Sequence, residues 1–308
     1  MPDYSKLLDA EMLAYIALCD SLYPTDAVDL DISGQRRVYD HMCAHFDGSI
    51  PDGVHVQDRA FGAVPCRIYT PLTCDGTVVY YHGGGFVVGG LHSHNSICAD
   101  IADAAGLRVV AVDYPLSPEH PYPEDFNAAW SAYCAVVKTF EGPIVVCGDS
   151  AGGNLAAAVS HQARAIGNLP LGQVLIYPGL GGDLDLPSYH EHAHAPQLTR
   201  ADIEFYMTIR YRGAVPVGDP LSAPLQDTDF SGLPPTVAVS AQCDPLSSDG
   251  DAYVQKIQSA GGQASWINEP GLVHGYLRAR RMSTRAQASF ARICAALKQV
   301  AQGRWDMA

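Results

Sequence analysis

The chain has 308 residues, of which 47% are hydrophobic and only 17% charged. That is enough apolar material for a large core in one or two domains, and it excludes a mostly disordered chain. Nineteen basic residues against 33 acidic ones leave a formal net charge of −14, which argues against nucleic acid and anionic membrane as partners.

In chain order, the first fifty residues are helical and amphipathic in pieces, as over 6–22, with Pro24 and Gly34 as interruptions. The apolar run 12–19 is short and flanked by Asp9, Glu11 and Asp20, so no secretory leader is read there. No stretch reaches the roughly 20 apolar residues needed to cross a bilayer. After Pro51-Asp52-Gly53 short β-rich runs alternate with helix-like stretches. Strands are predicted at 66–70, 77–81, 108–113, 144–147, 173–177, 236–240 and 264–268. Helices are predicted at 95–105, 124–140, 151–166, 200–211, 250–260 and 283–300. This alternation predicts an α/β fold, a mainly parallel sheet covered on both faces. The interval 179–235 is too long for a simple connection and reads as an insertion over the sheet. Nine cysteines without a Cys-x-x-Cys suggest free, buried thiols in a reducing cytosol, so a cytoplasmic location is expected.

Two glycine-rich turns carry chemistry. The strand at 144–147 runs into Gly148-Asp149-Ser150-Ala151-Gly152-Gly153 and then a helix, which fits Gly-x-Ser-x-Gly. A serine on such a cramped strand-to-helix turn is exposed at the sheet's carboxyl edge, with the helix's positive end aimed at any charge formed there. Ser150 is the candidate nucleophile, and the Ala151 N–H a candidate oxyanion donor. The strand at 77–81 runs into His82-Gly83-Gly84-Gly85-Phe86. Successive N–H groups of Gly83, Gly84 and Gly85 can converge on one oxyanion, with His82 as a brace for the loop. The turn at 148–153 is not a dinucleotide fingerprint, because Ser150 stands where the second glycine is needed.

These two turns, with Asp113–Pro123 (Asp-Tyr-Pro-Leu-Ser-Pro-Glu-His-Pro-Tyr-Pro), resemble the hormone-sensitive-lipase-like branch of the α/β-hydrolases, a family of carboxylesterases. Pro115 and Ser117 depart from the family's pattern there. The resemblance spans roughly residue 66 to the end. It implies an α/β-hydrolase fold with a helical cap: an N-terminal cap segment at 1–50, a catalytic domain at 51–308, and a cap insertion at about 183–215.

A serine needs a base, and the base an orienting carboxylate, in the chain order Ser, Asp/Glu, His. Asp244-Pro245-Leu246 follows the strand at 236–240, and His274-Gly275-Tyr276 follows the strand at 264–268. Both are similar to the family's acid and base segments, with Tyr276 in place of Phe. Asp249 and Asp251 are the competing acids and read as a helix start; His120 and His161 are poorer bases. The expected reaction is hydrolysis of short- to medium-chain neutral esters through an acyl-enzyme, with no cofactor or metal. Amidase, peptidase or lactonase action with the same residues stays open, as does a non-catalytic ligand-binding role.

Candidate pocket residues are Phe86, Val87, Asp149, Phe205, Tyr206 and Ile209, with Met207 and Tyr211 beside them. The acidic chain is expected to disfavour anionic substrates. His190, His192 and His194 alternate as on a strand, a spacing that can bind zinc, but read as a polar loop. Arg278, Arg280, Arg281 and Arg285 read as a solvated basic face. The expected partner is a small ester; pairing of two copies is left open.

Overall fold

The computed structural model describes residues 2–24, 27 and 30–305. Eight strands form one sheet: β1 (Val54–Phe61), β2 (Val64–Pro71), β3 (Thr77–Tyr81), β4 (Arg108–Val112), β5 (Ile144–Asp149), β6 (Gly172–Ile176), β7 (Thr236–Cys243) and β8 (Ala264–Val273). Their spatial order is β1-β2-β4-β3-β5-β6-β7-β8. β1 pairs antiparallel with β2, and β2 with β4; all other pairings are parallel. The described helices are α1 (Tyr4–Leu7), α2 (Ala10–Leu22), α3 (Ile32–Phe46), α4 (Asn95–Ala105) and α5 (Glu124–Thr139). They continue with α6 (Ala151–Ile166), α7 (Pro187–Glu191), α8 (Arg200–Tyr211), α9 (Ser247–Ser259) and α10 (Thr284–Ala301).

The central strands carry apolar residues on both faces. In β3, Val78 and Tyr80 pack into one layer and Val79 and Tyr81 into the other; β4 divides Val109 and Ala111 from Val110 and Val112 in the same way. Such strands require a helical layer on each side. One layer comes from α2, α4 and α10, the other from α5, α6 and α9. The fold is therefore the expected α/β-hydrolase architecture, and no described helix is long and apolar enough to cross a membrane.

All seven predicted strands are present, and β1 is an eighth that the sequence reading missed. Two boundaries also differ. Gly34 does not interrupt a helix: Asp31 caps α3 and its Oδ1 accepts the Gly34 N–H at 2.7 Å, so the glycine sits in the first turn. The segment 269–273, read as loop, continues β8. There Gly271 (φ 67°) donates to Gln242 Oε1 beside a shift of register against β7, so Pro270-Gly271 kinks the strand without ending it.

From β3 the chain crosses to β4 on one side and then to β5 on the other. Open α/β sheets bind ligands in the crevice at such a reversal, outside the carboxyl ends. Register sets Tyr81 of β3 beside Gly148 of β5, so the two glycine-rich turns leave the sheet as neighbours.

Candidate active site

Ser150 stands between β5 and α6 at φ 55° and ψ −117°, a strained conformation for a residue with a Cβ. Its N–H donates to Ile176 O at 2.9 Å, which ties the turn to β6. The crossing is too tight for side chains, since a Cβ at Gly152 would run into Tyr81 O. The turn therefore needs the small residues that the sequence supplies.

Asp244 leaves β7 and His274 leaves β8, where Cys243 and Val273 are paired neighbours. His274 Nδ1 lies 2.7 Å from Asp244 Oδ2, and His274 Nε2 lies 2.9 Å from Ser150 Oγ. Asp244 is fully buried, and its other oxygen accepts the Leu246 N–H at 2.9 Å. The Tyr177 ring packs edge-on against the imidazole at 4.8 Å. With its proton on Nδ1, the imidazole donates to Asp244 and accepts from the serine hydroxyl. The competing acids lie elsewhere. Asp249 is buried in the first turn of α9, where it takes the Leu180 N–H at 2.7 Å and the Tyr189 hydroxyl at 3.1 Å. Asp251 accepts from Gln255 at 2.8 Å. His161 Nδ1 meets Asp227 at 2.6 Å and its Nε2 meets Tyr253 Oη, and His120 pairs with Glu124.

The N–H groups of Gly84, Gly85 and Ala151 have no hydrogen-bond acceptor among the described residues. Gly83 differs from expectation: its N–H donates to Asp149 Oδ1 at 2.9 Å, so it is occupied. Asp149 also takes the Tyr80 hydroxyl at 2.7 Å and faces His94 at 3.3 Å. Burial acts to raise its pKa, but His94, Tyr80 and the charge of Arg278 outweigh it and hold the carboxyl well below the usual range. A fixed anion thus anchors the glycine loop.

His82 Nδ1 lies 2.8 Å from Gly83 O, and its ring stacks on Tyr114 at 4.3 Å. Burial lowers its pKa to about 3, so the ring is neutral and must carry its proton on Nδ1 to donate to the carbonyl. Gly83 O and Gly84 N belong to one planar peptide, so fixing the carbonyl aims the N–H the opposite way. The loop's far side is held by Arg36 of α3, which donates to Val87 O and Ser117 O and pairs with Glu119.

Above the serine lies a cavity of about 500 Å³. Tyr15 and Cys19 of α2, Tyr39 and Met42 of α3, and the inner face of α8 roof it. On α8 the lining residues centre on Ile203, Tyr206, Met207 and Arg210, the i, i+3, i+4, i+7 stripe, with Asp202 and Tyr211 at its margins. Of the predicted pocket residues, Phe86, Asp149 and Tyr206 line it, as do Met207 and Tyr211. Phe205 and Ile209 do not, because they fall off that stripe; Phe205 is exposed. Val87 does not either, being wholly buried below the loop. Arg210 went unnoticed although the 3.6-residue period reaches it. Its guanidinium pairs with the buried Asp125 at 2.8 Å and lies 3.5 Å from the centre of the Phe86 ring.

Two other expectations are corrected. The 190–194 histidines are not strand-borne: α7 ends at Glu191, and His192 is buried against Tyr4 while His190 and His194 are exposed. Among the described residues no three His, Cys, Asp or Glu side chains gather as a metal site. The basic cluster is not one solvated face either. Arg280 is buried on Asp100 and Ser96, and Arg278 is buried beside the cavity.

A serine, an imidazole and a carboxylate thus lie in one hydrogen-bonded chain at the carboxyl edge of this sheet, in the chain order Ser, Asp, His that α/β-hydrolases use. Residues 78–278 match a family described as alpha/beta hydrolase fold. The chain is 38% identical over 265 residues to the carboxylesterase NlhH of Mycobacterium tuberculosis, covering 80% of this chain and 83% of that one. It is 29% identical over an alignment of 318 residues to the ethyl acetate hydrolase of Pseudomonas putida, covering 95% and 99%. A solved esterase of the bacterial hormone-sensitive lipase family superposes with a TM-score of 0.87 at 25% identity, over 98% of this chain and all of that one. The chain belongs to the alpha/beta hydrolase fold family, in its hormone-sensitive-lipase-like esterase branch, and is a carboxylic ester hydrolase.

Proposed function

We infer that Ser150 is the nucleophile, His274 the general base and acid, and Asp244 the carboxylate that fixes the imidazole, acting on short- to medium-chain carboxylic esters. The observation that carries this reading is the unbroken chain Ser150 Oγ–His274–Asp244, beside three N–H groups without acceptors and open to the cavity.

The chemistry follows from those parts. Ser150 Oγ attacks the ester carbonyl as its proton passes to His274 Nε2, and the imidazolium is stabilised by Asp244. The carbonyl oxygen becomes an oxyanion, and Gly84, Gly85 and Ala151 are the donors for it. Collapse expels the alcohol, which takes the proton from His274 and leaves an acyl-serine. Water then gives its proton to His274 and attacks, and the acid departs as Ser150 is reprotonated. Residues 1–50 and 183–215 act as the cap and 51–308 as the catalytic domain. Enclosure by the cap favours small esters over lipid aggregates.

Labelling with a fluorophosphonate tests the nucleophile. One label per chain is expected, mapped to Ser150 and absent in Ser150→Ala, whose kcat on p-nitrophenyl butyrate falls roughly 10³-fold or more. A Ser150→Ala enzyme that labels and turns over normally overturns the reading. Peak activity on long-chain triglyceride emulsions overturns the chain-length part of it.

A further inference from the structure

Three described arginines are buried: Arg210, Arg278 and Arg280. Arg210 holds Asp125 and Arg280 holds Asp100, each at hydrogen-bond distance. No described carboxylate pairs with Arg278. Its Nε donates to Cys43 Sγ and its Nη2 to Tyr39 Oη, groups kept uncharged at neutral pH because burial pushes the thiol and the phenol up. Nη1 has no hydrogen-bond partner among the described residues. It lies against Gly275, 3.5 Å from where a Cβ would stand, one residue past His274. Arg278 lines the same cavity as Ser150 and His274. The buried Asp149 also lines this cavity, but its oxygens are taken by Tyr80, Gly83 and His94.

A buried guanidinium without a bonded anion is costly unless something else supplies the charge. This one faces the cavity beside the reacting groups. We propose that Arg278 anchors a carboxylate on the substrate, so that the preferred esters are half-esters carrying a free acid group within reach of the scissile carbonyl. This deepens the proposed esterase reading and rests on it. It also reverses the expectation that a −14 chain disfavours anionic substrates. Besides the engaged Asp149, two further carboxylates, Asp20 and Asp202, line the cavity, but both are exposed, as is most of the net charge. Exposed charges are screened by solvent and salt and act mainly on approach. A buried cation acts on the bound state, where the low dielectric strengthens it.

The test compares isosteric pairs in a pH-stat at pH 7.5. One pair is monomethyl glutarate and its neutral monoamide, with the acid group on the acyl side. The other is acetoxyacetate and acetoxyacetamide, with the acid group on the alcohol side. In the wild type the acid member of at least one pair is favoured in kcat/KM by about 10- to 100-fold, the range of one charged hydrogen bond. In Arg278→Gln and Arg278→Met that ratio falls towards one. Ratios near or below one for both pairs in the wild type, or a ratio unchanged in folded Arg278→Gln, overturn the proposal. Where the variants do not fold, wild-type inhibition decides: free glutarate competes better than glutaramide and keeps most of that advantage in high salt, and equal inhibition or an advantage abolished by salt overturns the anchor. Turnover of either member separates the readings, because a wild type that hydrolyses neither member of either pair counts against the serine mechanism, whereas the ratio within a pair reports on Arg278 alone.

Discussion

Ser150 occupies a backbone conformation that a residue with a Cβ avoids, and the neighbours hold it there: Ile176 O takes its N–H and Gly152 lets β3 come close. At this scale the roles divide between adjacent carboxylates. Asp244 faces His274, while Asp249, five residues on, faces Leu180 and Tyr189. Asp244→Asn keeps the shape but favours the wrong tautomer, so kcat on p-nitrophenyl butyrate is expected to fall by about 10⁴-fold. Asp249→Asn is expected to stay within a few-fold of wild type; if it is the slower of the two, the acid assignment fails. His82 supplies a second contrast. Phenylalanine there keeps a ring against Tyr114 but loses the bond to Gly83 O. Loosening a donor short of removing it places the expected loss in kcat at about 10- to 100-fold, with KM little changed. A raised KM with normal kcat would move His82 from aiming the donor to shaping the pocket.

At the scale of elements, the sequence was readable where burial was continuous. β3 to β7 are almost wholly buried, and α4, α6 and α8 begin and end where periodicity and glycine placed them. β1 was invisible for the opposite reason. Val54–Phe61 is an edge strand with His55, Gln57, Asp58 and Arg59 largely in solvent, held by its ladder to β2, so no apolar pattern marks it. The candidate nucleophile, base and acid were legible because each sits on a short turn with its own local signature. The roof was not, because which face of a cap helix turns inward is decided by tertiary contact. Arg278 shows the same limit: four arginines in eight residues look like a surface until Asp100, Tyr39 and Cys43 are seen to bury two of them. The attachment of α8 is testable. Arg210 pins α8 to the start of α5 through Asp125, and both side chains are nearly inaccessible. Asp125→Ala strands the guanidinium and is expected to cost about 3–5 kcal/mol in denaturant unfolding. The double replacement Asp125→Leu with Arg210→Met removes both charges and is expected to recover most of that loss. Equal losses in the single and double variants would mean that shape, and not charge, fastens α8.

For the molecule as a whole, stability depends on protons held at sites away from the reaction. Burial raises the pKa of Asp249 from the usual 3.8 to about 7, against its bonds from Leu180, Tyr189 and Gly182, with Asp244 adding to the rise. Between about pH 4 and 7 the folded chain therefore keeps a proton that the unfolded chain has lost. Stability contributed by this group falls as pH rises through that window, by at most about 1.4 kcal/mol per unit. Burial acts the other way on two histidines, lowering His82 to about 3 and His161 to about 4. Below the ordinary histidine value the unfolded chain gains protons that these rings refuse, so their contribution rises with pH over much of the same range. The wild-type profile alone mixes both signs. The difference between Asp249→Asn and wild type isolates the carboxyl, since the histidines are common to both. Asparagine keeps an oxygen for the Leu180 N–H, and the Tyr189 hydroxyl can turn to accept from its amide. Denaturant unfolding at several pH values from 4.5 to 8 should show the variant gaining on the wild type as pH rises, then levelling off above 7. A difference independent of pH would mean that Asp249 is already ionised in the folded protein, with its three donors outweighing burial.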